Sequence, residues 1–157
     1  MRRFRPLHGI LLVLALSATV IGADYFLSGS GRIDFARVAP DRDGRVTIDV
    51  ADLKPLEVRY FRFLNAGNQE VLFFVGRDES GQLVVAFNAS ENDFKRKRGF
   101  RHDGAWMVNN KCDTAIKLSE VNLGRSGCGP MPLPFRASGA QVVLAENDIL
   151  GGWRYFR

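Results

Sequence analysis

The residues best suited to chemistry lie in the stretch 99–135, which holds both cysteines of the chain and one of its two histidines. Cys112 and Cys128 carry soft sulfur ligands, and His102 carries an imidazole that can bind a metal ion. Two such cysteines can form a disulfide, hold a metal ion or be the remnant of a larger metal site. The residue types alone leave all three interpretations open.

A step of three residues recurs around these cysteines. Ser90 and Asp93 are three residues apart, as are Asn109 and Cys112. Cys128 follows in a loop-like stretch rich in glycine and proline. Paired thiolates at this spacing in a loop are typical of sites that chelate one metal ion or cluster. Only one of the four paired positions is a cysteine, so the pattern has the spacing of a metal site without its full set of thiolates.

A soft ligand set suited to Cu(I) is one alternative for the cysteines. Both can be joined in such a set by Met131, Met107 or His102. Met107 lies in an apolar, strand-like run and is more typical of a core, whereas His102 is more typical of an exposed turn. Met131 lies in a proline-rich loop and is the least explained by packing. His102, Met131 and Asn109 are therefore the secondary ligand candidates.

The N-terminus has the pattern of a secretory signal peptide or a signal anchor. Arg2, Arg3 and Arg5 precede an uncharged run of 15 residues, Gly9–Ala23. The run is long for a signal core and short of the roughly 18–20 residues of a membrane span, so cleavage and anchoring both stay open. In either case the arginines stay in the cytoplasm and the rest of the chain faces outward.

Targeting explains part of the positive charge. The chain has 22 Lys and Arg against 17 Asp and Glu, and three of the arginines lie in residues 1–23. A basic cluster remains at 95–98 with Arg101, and a solvated loop, anionic lipid or an acidic protein surface can each account for it. Because the domain is expected outside the cytoplasm, nucleic acid is not an expected partner.

The composition divides the chain into three parts. Residues 1–23 are the predicted signal peptide or membrane anchor. Ser28–Gly31 is the loosest part of a predicted tether, residues 24–43. Residues 44–157 are long enough for one domain with a modest core.

The pattern of that domain is mostly strand-like. Alternation predicts strands at Arg45–Val50 and Val58–Leu64, and two apolar runs predict a hairpin around Arg77–Gly81. The other predicted elements are the strands 70–75, 83–87, 99–101, 105–108 and 141–145, a turn at His102–Gly104 and a helical turn at 147–151. Amphipathic helix periodicity is scarce, so we predict a mainly β fold, a small antiparallel β domain, with α+β as the alternative.

The chain offers little for conventional catalysis. His102 is the only histidine beyond residue 23, so a Ser-His-Asp or Cys-His arrangement would have to use it. No glycine-rich phosphate loop and no His-x-x-x-His zinc pattern is present. We therefore expect a protein that is not an enzyme.

Several short segments of the domain occur in the order and spacing of a known family. They are Arg59-Tyr60-Phe61, AFNASENDF at 86–94, Gly99-Phe100-Arg101, VNNKC at 108–112, GCGPMPLP at 127–134, Asp148-Ile149-Leu150 and Tyr155-Phe156. In these segments the chain resembles the FtrD-like membrane iron–sulfur proteins, which accompany bacterial ferrous-iron uptake permeases. The resemblance extends from about Gly44 to the C-terminus.

The resemblance implies a set of ligand positions. The family pattern looks like D-A-C-x-x-C, then G-Y-R, then C-x-x-C, then G-G-C-x-P. Its first cysteine pair falls on Ser90 and Asp93. The second pair falls on Asn109 and Cys112, and the isolated cysteine falls on Cys128. Three of the five family cysteines are thus absent. Because iron–sulfur clusters are normally held by four thiolates, the resemblance implies a cofactor site that is lost or altered here.

The resemblance also implies that Cys112 and Cys128 lie close together, because the ligands of the family converge on one site. Two cysteines of one small domain outside the cytoplasm most often pair. Closing this loop of about 16 residues would contribute about 3 kcal/mol in the chain-entropy model. A mononuclear metal site, with copper as one candidate, and a pair of free thiols are the alternatives.

The implied role is electron transfer or metal handling beside an iron permease. We expect a protein of the inner membrane whose domain faces the periplasm, or a periplasmic protein if the leader is cleaved. The implied partner is the permease or another component of the uptake system. A disulfide-stabilised binding module for a membrane partner and a Cu(I)-binding protein are the alternative functions.

Overall fold

A computed structural model describes residue 17 and residues 33–91, 98–124 and 127–156. The chain forms two compact units, Met1–Ile33 and Asp34–Arg157. Apart from Ser17, which is helical, the predicted leader lies outside the described residues. Within the described ranges, no helix is both long enough and apolar enough to span a membrane.

The second unit is built mainly from short strands, which confirms the predicted mainly β fold. The strands are β1 (Phe35–Val38), β2 (Arg45–Asp49), β3 (Val58–Leu64), β4 (Glu70–Arg77), β5 (Leu83–Phe87), β6 (Phe100–Asp103), β7 (Trp106–Asn109), β8 (Ala115–Lys117), β9 (Arg136–Ser138) and β10 (Gln141–Ala145). The short helices of the described part are the 3₁₀ helices η1 (Leu118–Leu123) and η2 (Trp153–Phe156) and the α-helix α1 (Glu146–Gly151).

These strands form three small sheets. The first has the order β1-β3-β4-β5, the second β2-β10-β9 and the third β6-β7-β8. All pairs are antiparallel except β1 with β3, which are parallel. Neighbouring elements in sequence therefore supply most of the pairing, as expected of hairpin-built folds.

The first sheet is apolar on both faces, because alternate residues of its central strands are large and hydrophobic on each side. Phe61, Phe73 and Phe87 lie opposite one another in register and belong to the main core, where the rings of Phe61 and Phe73 are stacked 5.5 Å apart. Val46 and Ile48 of β2 join this core through the buried face of the second sheet. Burial of this face is the largest source of stability in the fold.

The opposite face of the first sheet supports the third sheet. Tyr60 and Phe74 are buried but stand outside the main core cluster. The Tyr60 hydroxyl donates a hydrogen bond of 3.2 Å to the carbonyl oxygen of Phe100 in β6. Burial raises the pKa of Tyr60 to about 12, so the hydroxyl stays a donor at physiological pH. This contact fixes the start of β6, and therefore the β6–β7 hairpin, against the central strands.

The strand β1 lies inside residues 24–43, the predicted tether. Its backbone pairs with β3 from Phe35↔Tyr60 to Val38↔Phe63, and the rings of Phe35 and Tyr60 meet edge to face at 5.5 Å. The tether prediction therefore does not hold for these four residues. The Ser/Gly composition on which it rested ends before them, and aromatic and β-branched side chains favour a strand.

The hairpin of the third sheet is displaced from its predicted position. The turn predicted at His102–Gly104 lies instead at Gly104 and Ala105, because His102 is paired with Met107 inside the ladder. Gly104 has a φ of +58°, the left-handed conformation that tight hairpin turns require. The shift moves Asn109 to the end of β7 that lies opposite Phe100.

Candidate functional site

Four of the five positions implied as ligands converge in the structure. Ser90 lies just after β5, Asn109 ends β7, Cys112 lies in the turn between β7 and β8, and Cys128 lies in the loop after η1. We call these four residues the cysteine site. Asp93, the fifth implied ligand, lies outside the described residues.

The loop that carries Cys128 is anchored along β5. The Met131 amide donates to the carbonyl of Ala89 at 3.1 Å, and the Phe87 amide donates to the carbonyl of Met131 at 2.8 Å. Leu133 continues this pairing with an amide hydrogen bond of 3.2 Å to Val85, and its side chain is buried in the core. Residues 131–133 thus form an extra edge beside β5, which brings Cys128 toward Ser90.

The turn that carries Cys112 is closed by its own backbone. The Asn109 amide donates to the carbonyl of Thr114, and the Asp113 amide donates to the carbonyl of Asn109, both at 2.9 Å. Asp113 adopts a φ of +56°, a conformation that aspartate tolerates better than most residues. The turn is therefore closed by backbone hydrogen bonds that involve no sulfur atom.

Cys112 and Cys128 form the predicted disulfide. Their sulfur atoms are 2.08 Å apart, their Cα atoms are 6.4 Å apart, and the bond closes a sequence separation of 16 residues. Both cysteines are half-buried and neither belongs to the main core cluster. The bond therefore joins two loops at the edge of the domain.

Asn109 lies at the centre of the cysteine site and is completely buried. Its Oδ1 accepts hydrogen bonds from the amides of Lys111 at 2.8 Å and Cys112 at 3.1 Å. Its Nδ2 donates to the carbonyl of Cys128 at 2.9 Å and to the hydroxyl of Ser90 at 3.4 Å. An amide has two acceptor and two donor positions, so the bonding capacity of this side chain is filled. One side chain thus contacts both half-cystines.

The Gly99-Phe100-Arg101 segment supports the site from the other side. The Phe100 amide donates to Oδ1 of Asn88 at 2.7 Å. Gly99 has a φ of +59°, and a Cβ atom there would stand 2.5 Å from Nδ2 of Asn88, so any other residue would strain the backbone and displace the Asn88 side chain. Arg101 contacts Asp113 across the turn at 3.2 Å. This ion pair is exposed and contributes little energy. It shows that the turn lies beside β6, the strand that contains Arg101.

Sequence reasoning missed two of these supporting residues, Asn88 and Asn110. Asn110 donates from Nδ2 to the carbonyl of Arg98 at 2.8 Å and from its amide to Gly99 at 3.0 Å. Both asparagines lie inside segments that resemble the family, AFNASENDF and VNNKC. Asparagine forms local side-chain to backbone hydrogen bonds in turns, and this property was the available signal.

The secondary candidates are not all brought to the site. Nε2 of His102 is 2.6 Å from the carbonyl of Gly104, toward the hairpin turn and away from the end of β7 that carries Asn109. Met131 packs against the main core, and Met107 is fully buried. The fold thus supplies the packing that the sequence left unexplained for Met131, and the two cysteine sulfurs of the proposed copper set are bonded to each other.

The side chains of the cysteine site do not fit an iron–sulfur cluster. The two sulfur atoms are bonded to each other, so neither offers a thiolate. The side chains of Ser90 and Asn109 are hydrogen-bonded to one another inside the buried cluster. In the described part of the chain, no three His, Cys, Asp or Glu side chains are grouped so as to hold a metal ion. The four implied ligand positions that the structure describes lie together, but their side chains offer no thiolate.

A surface cleft of about 720 Å³ lies elsewhere on the domain. It is lined by residues of the second sheet and its neighbours, among them Arg45, Phe135, Arg136, Val143 and Asp148. None of the residues of the cysteine site lines it. The cysteine site is a filled polar cluster and is recognised by its contacts rather than by a cavity.

A small β domain with a disulfide between two converging loops is the class that this fold and site define. The chain matches the model of the family described as "Membrane iron-sulfur containing protein FtrD-like" over residues 42–156. The match covers well over half of the chain, so the chain belongs to this family of membrane proteins, and the resemblance found in the sequence is confirmed. No curated protein and no solved structure matches the chain.

Proposed function

We propose that this chain is a non-catalytic accessory component of a bacterial iron or metal uptake system, in which a disulfide occupies the place of the family's iron–sulfur cluster. One observation supports the proposal. Asn109, at an implied ligand position, donates to Ser90 and to the carbonyl of Cys128 and accepts from the amide of Cys112, as expected if hydrogen bonds have replaced metal ligation there.

Two further observations support a location at the membrane and a partner in the membrane. The family consists of membrane proteins, and residues 1–23 have the pattern of a signal peptide or anchor. A domain held at the outer face of the inner membrane would meet a permease there. We therefore propose a permease or another component of the uptake system as the partner, with the domain as a binding module.

Restoring the missing cysteines tests the loss of the cluster. The natural chain and a triple variant, S90C/D93C/N109C, are each reduced and incubated anaerobically with iron and sulfide. We expect the natural chain to stay colourless with far less than one iron per chain, because two sulfurs cannot saturate a cluster. We expect the variant to gain iron and a visible absorption band, because Ser90, Asn109, Cys112 and Cys128 converge and could then supply four thiolates. Stoichiometric iron in the natural chain would contradict the proposal.

Cross-linking in membranes of the source cell tests the partner. The full chain carries a photoreactive residue at exposed positions such as Trp106 or Leu123 in turn. The proposal expects a cross-link to a polytopic transport protein, and cross-links only to lipid or to a soluble periplasmic protein would count against it.

A further inference from the structure

We infer that the Cys112–Cys128 bond is a reversible dithiol–disulfide site that exchanges two electrons with a thiol donor outside the cytoplasm. The inference rests on the proposed function, because it requires a disulfide instead of a cluster. It goes further in giving the disulfide an activity rather than the role of a structural link.

The position of the disulfide makes it reachable. Both half-cystines are only half-buried, and each lies in a loop rather than in a strand. The main core cluster, built from the faces of the first two sheets, contains neither of them. Exchange requires a thiolate to approach one sulfur atom of the bond, and a partly exposed cystine between two loops permits that approach.

We expect the fold to persist without the bond, because both loops are anchored close to their cysteines. Cys112 lies between Asn109 and Thr114, whose backbones are hydrogen-bonded at 2.9 Å. Cys128 lies three residues before Met131. The amide of Met131 donates to the carbonyl of Ala89, and its carbonyl accepts from the amide of Phe87 at the end of β5. The disulfide therefore joins two loops whose described backbone anchors involve no sulfur atom, and we expect reduction to leave these anchors in place.

Asn109 keeps the two cysteines together when the bond is open. Its side chain accepts from the amide of Cys112 and donates to the carbonyl of Cys128, and neither contact involves a sulfur atom. Two thiols held in this way face each other at a high effective concentration, which favours closing of the ring over reaction with other thiols. Asn109 is a positioning residue, since it acts through the backbones of the cysteines.

The atoms, electrons and protons of this exchange balance when the donor is a dithiol. A donor thiolate attacks one sulfur of the cystine, the S–S bond breaks, and the released cysteine takes up a proton. The second thiol of the donor then attacks the mixed disulfide and releases the other cysteine, which is also protonated. The donor leaves as a disulfide, and two electrons and two protons have moved to Cys112 and Cys128.

Equilibration with dithiothreitol and glutathione tests the inference on the full chain. Thiols are trapped by alkylation and counted by mass, and circular dichroism and thermal melting are recorded in both states. We expect both cysteines to become reduced together and to reoxidise, while the β signal and a cooperative melt are retained. Resistance to reduction until the domain unfolds would overturn the inference, as would loss of the fold on reduction.

Two single variants separate positioning from packing. Asn109→Ala should shift the equilibrium with glutathione toward the dithiol by about tenfold, because the thiols lose their shared contact. Ser90→Ala removes one long hydrogen bond from the same cluster and leaves both cysteine contacts, so it should shift the equilibrium less than about twofold. Equal shifts for the two variants would overturn the positioning role.

If Asn109→Ala fails to fold, the double variant C112S/C128S tests whether the domain folds without the disulfide. It should fold with a cooperative melt at a lower temperature, and an unfolded double variant would overturn the inference. Failure of the inference differs from failure of the proposed function. A metal-free chain whose disulfide resists reduction contradicts only the inference, whereas free thiols with bound iron contradict both.

Discussion

At the scale of single residues, the important feature is the side chain that stands where the resemblance implies a cysteine ligand. Asn109 occupies an implied ligand position, yet all of its hydrogen-bonding capacity is used within the protein. At this position, where the resemblance implies a ligand, the side chain hydrogen-bonds to both loops that carry the cysteines. The sequence predicted Asn109 as a secondary ligand, and its contacts assign it the positioning role.

Asn109→Ala should lower the free energy of unfolding by about 2–4 kcal/mol, because it leaves buried partners without hydrogen bonds. Asn147→Ala is the matched control. Its side chain is exposed on the short helix α1, so we expect a change of about 0.5 kcal/mol or less. Urea unfolding of both variants measures the difference, and similar losses would contradict the central position of Asn109.

Gly99→Ala should destabilise the domain by more than Gly139→Ala. Both glycines have a φ of +59°, so both variants carry the same backbone strain of about 1 kcal/mol. Only at Gly99 does the new Cβ meet another group, the Asn88 side chain. We expect an additional loss of about 1–2 kcal/mol for Gly99→Ala in chemical denaturation. Equal losses would show that the Asn88 contact yields without cost.

At the scale of elements, regular alternation of apolar and polar residues predicted strands correctly, whereas short or irregular segments gave no usable pattern. The predicted bounds of the strands Val58–Leu64, Leu83–Phe87 and Gln141–Ala145 agree with the structure. The three-residue strands β8 and β9 were missed, because a pattern of period two needs at least four or five residues to be recognised. The strand β1 was missed because it follows a Ser/Gly-rich stretch.

Hydrogen exchange tests the correction at β1. The parallel pairing with β3 should slow exchange of alternate amides in Phe35–Val38 by about tenfold or more relative to an unstructured chain. The exposed residues Ala66 and Gly67 in the loop between β3 and β4 serve as the comparison. Exchange in β1 at the rate of an unstructured peptide would restore the tether prediction for these residues.

The loop between β4 and β5 carries a predictable pH dependence. Burial alone would raise the pKa of the Asp78 carboxyl, but hydrogen bonds from Ser80 and from the backbone of Gln82 outweigh it, and the pKa is lowered. The stabilisation from Asp78 is thus fully present above about pH 4, the ordinary range of aspartate, and is lost as the pH falls through the lower pKa of the folded state.

Asp78→Asn should therefore reduce stability at pH 7 by about 1–3 kcal/mol and flatten the decline of stability in acid. Urea unfolding of the natural chain and the variant between pH 2 and 7 measures both effects. Two curves that stay parallel down to the lowest pH would show that Asp78 does not contribute to the acid dependence.

At the scale of the whole molecule, the fold class could be predicted from the sequence, but the arrangement of the strands could not. Composition and period predicted a small β domain, and the segments resembling the family predicted which loops would converge. The pairing of β2 with β10 and the pairing of residues 131–133 with β5 join segments that are distant in sequence. Such contacts depend on the packing of the complete core, which local patterns do not encode.

The central claim is that Cys112 and Cys128 are bonded to each other and do not bind a metal. Non-reducing peptide mapping of the full chain, alkylated and purified anaerobically from a host that exports it, tests this most directly when combined with metal analysis of the same sample. The account predicts one linked peptide pair joining Cys112 to Cys128 and far less than one metal ion per chain. Two alkylated cysteines together with stoichiometric iron or copper would contradict it.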